Sequence, residues 1–219
     1  MGGMILYAHV LINGKENLAS LTTIGSPPGF ESEPGLQKLA PVVRLAKFLP
    51  WPVETVWRML APFYVSFKLN LPFAPAYWPN MHKNAGPDVF YNAAELLPVD
   101  AAEHFLLWST EGHAWQMMGG QVNVETQLHR IDLPILVIAG KADPLTPVPR
   151  VERFFERLQA RDKQLRIVSR ANRNVADYSH LDLVWGRDSE VDVFRAVVRW
   201  LAAHPFDGGA QVEVIEHPQ

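Results

Sequence analysis

The sequence predicts an α/β fold, a parallel sheet covered by helices and interrupted by a large inserted helical region. Strand-like apolar runs alternate with amphipathic helical stretches through the last third of the chain. An apolar helical run and a β-branched run open it, and between the two ends residues from about 30 to 130 change character. With 219 residues, 48% hydrophobic and 20% charged, the chain has the apolar content for a sizeable core.

Taken in order, Gly2 and Gly3 are followed by Met4 to Ile12 (MILYAHVLI), stopped by Asn13-Gly14, which has the length and end signal of a helix. Because this run is apolar nearly all round, it is expected to be buried between other elements, including strands that would precede it. Leu18 to Ile24 (LASLTTI) reads as a short buried strand closed by Gly25-Ser26-Pro27-Pro28-Gly29. From about 30 to 130, proline-punctuated helical stretches hold Trp51, Trp57, Trp78, Trp108 and Trp115, five of the seven tryptophans. An inserted helical lid is expected there. Its rings, among them Phe63, Tyr64, Phe67, Phe73 and Tyr77, either form the lid's own core or line an acyl pocket.

Leu133 to Ala139 (LPILVIA) has the continuous apolar character of a central parallel strand. Pro149 to Ala160 follows as an amphipathic helix and Gln164 to Ser169 as a further strand. Asp188 to His204 is a last helix, with Val191, Phe194, Val197, Val198 and Leu201 expected to face the core. The expected organisation is a core beginning at 1–29, a lid at 30–130, the returning core at 131–204 and a loose tail at 205–219.

A formal net charge of -3 offers no electrostatic reason for nucleic acid or an anionic membrane as partner. The apolar run at 4–12 is too short to span a bilayer, so no stable membrane insertion is expected. There is no cysteine, which removes disulfides and thiolate zinc sites. With no basic, cleavable leader either, a cytoplasmic address is expected. His9, His82, His104, His113, His129, His204 and His217 show no metal-ligand spacing, and there is no phosphate-cradling or dinucleotide motif. Neither a metal nor a cofactor is expected.

Two residues stand out as chemistry. Asp143 lies in Gly-Lys-Ala-Asp-Pro-Leu-Thr-Pro, directly past the C-terminal end of an apolar strand, where open α/β sheets place their functional groups. A turn-forming Asp-Pro is the competing reading. His180 lies in Asp-Tyr-Ser-His-Leu-Asp-Leu-Val-Trp-Gly, between the next strand and the last helix. An imidazole there takes a proton from a hydroxyl if a carboxylate holds its other nitrogen; an ordinary surface histidine is the alternative. Both residues follow successive strands and so project from one edge of the sheet.

The order acid then histidine, with His-Leu-Asp-Leu-Val-Trp-Gly around His180, resembles the C-terminal part of the α/β-hydrolase superfamily, of the serine esterase and lipase type and close to its acid-lipase branch. In that family the chain order is nucleophile, acid, histidine, so the resemblance implies that Asp143 and His180 are the second and third members of a catalytic triad. Met1-Gly2-Gly3-Met4 resembles the right-hand side of a Gly-x-Ser-x-Gly elbow. On that alignment Met1 holds the oxyanion-hole position, Gly2 and Gly3 are the elbow glycines, and the chain starts just after the serine. Neither Ser26 nor Ser109 offers a substitute elbow, since Ile24 and Leu107 stand where glycine is needed.

The resemblance implies hydrolysis of a small apolar carboxylic ester by a Ser-Asp-His triad whose serine lies outside this sequence. Within the superfamily, cysteine or aspartate nucleophiles remain open. The alternative is an inactive remnant, or a fragment that binds a partner or a second copy through an exposed sheet edge.

Overall fold

The computed structural model describes residues 2–26, 76–82 and 122–206, with isolated positions at 41, 59, 63, 116 and 117. Most of the expected lid, with Trp51, Trp57, Trp108 and Trp115, falls outside the described residues, as do Met1 and 207–219 of the tail.

The first element is helix α1, Gly2–Asn13. Gly14 ends it as anticipated: its φ is +82°, a conformation that only glycine adopts without strain, and its N–H returns to the Val10 carbonyl at 3.1 Å. Strand β1 follows at Leu21–Ile24. A two-residue ladder, β2 at Gln116–Met117 against β3 at Val122–Asn123, leads into the short helix α2, Val124–Gln127, whose first turn the Asn123 side chain caps by accepting from Thr126 N at 3.1 Å. Strand β4 is Ile135–Gly140, helix α3 is Val148–Arg157 and strand β5 is Lys163–Val168.

The three long-range strands form one parallel sheet in the order β1-β4-β5, with Leu21 opposite Ile135 and Ile135 opposite Lys163. All six residues of β4 are buried, as a strand covered on both faces requires. Because strand side chains alternate, Ile135, Val137 and Ala139 meet α1 and α3 through Met4, Tyr7, Leu11, Val151 and Phe154. Leu136 and Ile138 point the other way, into a second core with Val168, Tyr178, Leu183, Val193 and Trp200. Burying each such aliphatic side chain contributes about 1.5–3 kcal/mol. The helix predicted as buried all round is covered on one side, by the first of these cores; on α1, Ile5 is 59% exposed and Ile12 is also exposed.

The last helix departs from its expected register. A short helix α4, Asp182–Trp185, precedes a π-helical turn at Glu190–Phe194, which runs directly into helix α5, Arg195–Ala203. A π turn accommodates one extra residue and rotates everything after it. Asp192, Val193 and Trp200 therefore face inward, while Val191, Val198 and Leu201, expected in the core, are exposed. The cause is visible in Asp192, a buried carboxylate that accepts from Asn174 Nδ2 at 3.0 Å, Val175 N at 2.8 Å and the Tyr178 hydroxyl at 3.0 Å. Three donors hold it inward, and the apolar pattern yields to them.

Candidate active site

All three parallel strands end on one side of the molecule, and each delivers something to it. β4 ends at Gly140 and its following turn presents Asp143. β5 leads through a 3-10 turn at Arg170–Asn172 to the segment carrying His180. β1 ends at Ile24, and Gly25 follows it.

The Asp143 side chain is fully buried and works in two directions. Its Oδ1 accepts from Leu145 N at 2.8 Å and Thr146 N at 3.0 Å, which closes the turn; its Oδ2 accepts from the Thr146 hydroxyl and faces His180 Nδ1 at 2.8 Å. One oxygen of Asp143 thus closes the turn and the other faces the imidazole. Burial alone would raise the Asp143 pKa, but the His180 hydrogen bond and charge, with the Thr146 donors, outweigh it and hold the carboxyl below its usual range. With an ionised acceptor opposite it, Nδ1 carries the proton and donates. His180 is 23% exposed at its side chain, and among the described residues no hydrogen bond takes its Nε2.

The backbone behind this pair is locked. Ala142 N donates to the Tyr178 carbonyl at 2.9 Å and Lys141 N to the Val168 carbonyl at 3.1 Å, tying the Asp143 turn to both ends of the His180 segment. Gly140 is required there, since a Cβ on it would stand 2.3 Å from the Tyr178 carbonyl oxygen. Gly25, with φ +56°, sits under the imidazole: a Cβ would meet His180 Nδ1 at 3.1 Å and Cε1 at 3.2 Å. Its role against the ring was not legible in a Gly-Ser-Pro-Pro-Gly run that reads only as a turn.

Of the two glycines expected in an elbow, Gly3 has a spatial reason. A Cβ on it would lie 2.2 Å from Ser26 Oγ, so the start of α1 presses onto the chain just past β1. A Cβ at Gly2 meets nothing within 4 Å among the described residues, so the close packing expected of both belongs to Gly3. Met1 lies outside the described residues.

Asp182, two residues past His180, brings the distant Asn80 to the site. Asp182, fully buried, accepts from Ser179 N at 3.0 Å, Asn80 Nδ2 at 2.8 Å and Tyr77 N at 3.3 Å. Burial raises its pKa, and these donors oppose the rise. Among the described residues there is no group of three metal-ligating side chains, and no helix is long and apolar enough to cross a membrane.

Chemically, a buried carboxylate fixing the Nδ1 side of an imidazole whose Nε2 no described residue engages is an arrangement able to orient a base toward a hydroxyl. The sequence model of the family described as serine aminopeptidase, S33 matches residues 1–172, a span that includes Asp143 and ends before His180. No curated protein sequence matches the chain. Among solved structures, the chain is similar to an esterase from Exiguobacterium antarcticum, with TM-score 0.56, 13% identity and 91% of this chain covered. It is similar also to a monoacylglycerol lipase from Paleococcus ferrophilus, with TM-score 0.54, 15% identity and 93% covered. A monoglyceride lipase from Saccharomyces cerevisiae, with TM-score 0.52, 13% identity and 93% covered, is a third. The chain spans 63%, 65% and 62% of those three proteins, just under two thirds of their length. At these identities the likeness is one of fold, and it is the fold of the α/β-hydrolases. On the family match and the parallel sheet together, the chain belongs to the S33 serine aminopeptidase family of α/β-hydrolases.

Proposed function

We propose that this chain supplies the acid and base of a carboxylic ester hydrolase acting on small apolar esters. The observation that carries the reading is the 2.8 Å contact between the buried Asp143 Oδ2 and His180 Nδ1 at the C-terminal edge of a parallel sheet. In this reading His180 Nε2 takes the proton from a serine hydroxyl as it attacks the ester carbonyl, then returns it to the departing alkoxide. Asp143 keeps the imidazole oriented and stabilises the imidazolium that forms. The elbow resemblance puts the serine immediately before Met1 and one oxyanion donor at Met1, and the tight seat of Gly3 on Ser26 supports a close turn at that point. Residues 30–130 would form the lid over the acyl group. The esterase and lipase character of the similar structures supports an ester rather than a peptide as substrate.

The test is turnover of p-nitrophenyl esters of short to medium acyl chains by the protein expressed with whatever in-frame sequence precedes Met1. Ester hydrolysis is expected, with kcat/KM falling by roughly three orders of magnitude or more in His180→Ala. Undiminished turnover in that variant would remove His180 from the mechanism.

A second reading, binding in place of turnover, draws on the outer edge of β1, which pairs with no other strand among the described residues, and on the exposed Ile5 and Ile12 of α1. It predicts that purified chain associates with itself in sedimentation as its concentration rises; a monomer at all concentrations would argue against it.

A further inference from the structure

We propose that Asn80 is a positioning residue for His180, acting through the Asp182 carboxylate, so that the segment 76–82 and the alignment of the imidazole are coupled. This rests on the reading of Asp143 and His180 as a catalytic pair. Asn80 comes from the far side of the sequence, and yet its side chain is buried and directed wholly at the His180 segment. Its amide nitrogen donates to the Asp177 carbonyl at 2.8 Å and to Asp182 Oδ2 at 2.8 Å. The same Oδ2 accepts from Ser179 N, the peptide nitrogen directly before His180, at 3.0 Å. One carboxylate oxygen therefore binds the asparagine and the histidine's own backbone neighbour.

The rest of the segment is tied to the same loop. Tyr77 N donates to Asp182 Oδ1 at 3.3 Å, Arg187 N donates to the Asn80 carbonyl at 2.8 Å, and Met81 forms an antiparallel bridge with Gly186. Among the described residues three donors and no acceptor face the Asp182 side chain, so it serves there as an ionised acceptor. A buried carboxylate that loses one of its donors is poorly compensated, and the protonation or displacement that relieves it weakens its bonds to the remaining donors. Displacing residues 76–82 thus reaches the imidazole through two hydrogen bonds, Asn80 to Asp182 and Asp182 to Ser179. A plain structural role for Asn80 would affect stability and leave the ring's own hydrogen bond as it is.

Long-range 15N–1H spectra of the full chain labelled at histidine separate these. In the wild type the His180 Nδ1 proton is expected far downfield and slow to exchange with water, because it faces a buried carboxylate. Asn80→Ala and Asp182→Asn should each speed that exchange about tenfold or more, while the His204 signals stay in place and report an intact fold. Asn80→Ser, which keeps a shorter donor, should fall between, and it decides the matter if either of the others loses the His204 signals. Unchanged exchange in the Asn80 and Asp182 variants, with loss of the signal in Asp143→Asn, overturns the coupling and leaves the catalytic pair standing. Unchanged exchange in Asp143→Asn overturns the pair, and the coupling with it.

Discussion

Two histidines in this molecule face an aspartate at the same distance, and they are built for opposite ends. His180 Nδ1 meets Asp143 Oδ2 at 2.8 Å, and His204 Nε2 meets Asp162 Oδ2 at 2.8 Å. The Asp143 side chain is fully buried and held by further donors, whereas that of Asp162 is 60% exposed. His204 spends its second nitrogen on the Trp200 carbonyl at 2.8 Å and stacks on the Trp200 ring, 4.1 Å between centroids. Both of its nitrogens thus face acceptors, and the imidazole is a saturated plug at the end of α5. His180 has one nitrogen fixed and the other not engaged by any described residue. In the proposed reading it is the buried orienting carboxylate and the nitrogen that no described residue takes, and not the distance, that fit His180 for the role of base.

The contrast can be broken from behind the first pair. Gly140→Ala would set a methyl carbon 2.3 Å from the Tyr178 carbonyl oxygen, and backbone cannot swing aside as a side chain can. A loss of about 3 kcal/mol or more is expected in denaturant unfolding, along with weaker ester turnover as the Asp143 turn and the His180 segment part. A neutral Gly140→Ala would mean that the two segments are less firmly joined than their hydrogen bonds imply.

The two pairs should also differ in the sign of their pH dependence. Asp143 has its folded pKa below the unfolded value near 3.9, so its contribution is present above that pH and is lost as pH falls through the lower, folded value. Unfolding free energy should drop in that acid window by on the order of 2 kcal/mol, and Asp143→Asn should flatten the drop. For His204 the hydrogen bonds to Asp162 and then to the Trp200 carbonyl raise the folded pKa above the unfolded value near 6.5. Its contribution is full below that pH and fades as pH rises through the folded value. With an exposed partner this amounts to less than about 1 kcal/mol and should weaken further in salt. A melting-temperature difference between pH 6 and pH 8 that shrinks in Asp162→Asn would show it.

Asp143 and His180 could be singled out because their signals are local: Asp143 follows the continuous apolar strand β4, His180 follows the next strand, and a seven-residue context marks the histidine. The parallel sheet was legible for the same reason, since β4 is buried on both faces and reads as an unbroken apolar run. What stayed hidden depends on contacts between distant residues. Asn80 meets Asp182 across 102 positions, and nothing in Trp-Pro-Asn-Met announces it. Gly25 reads as a turn glycine until the ring is seen above it. The last helix misled in a physical way, because helical periodicity assumes 3.6 residues per turn and the turn at Glu190–Phe194 is wider. The buried Asp192, polar on an apolar stripe, was the residue at which that pattern failed.

The difference between the two histidines can be measured on the chain itself, without an ester or a nucleophile, by diethyl pyrocarbonate acylation followed by peptide mass mapping near pH 6.5. The reagent attacks a neutral ring nitrogen that no hydrogen bond occupies. His180, with its Nε2 unengaged, should be acylated at least about tenfold faster than His204, the ratio set by breaking one hydrogen bond to reach the second ring. Equal rates, or a faster His204, would contradict the assignment of His180 as the base and put the two carboxylate–histidine pairs on the same footing.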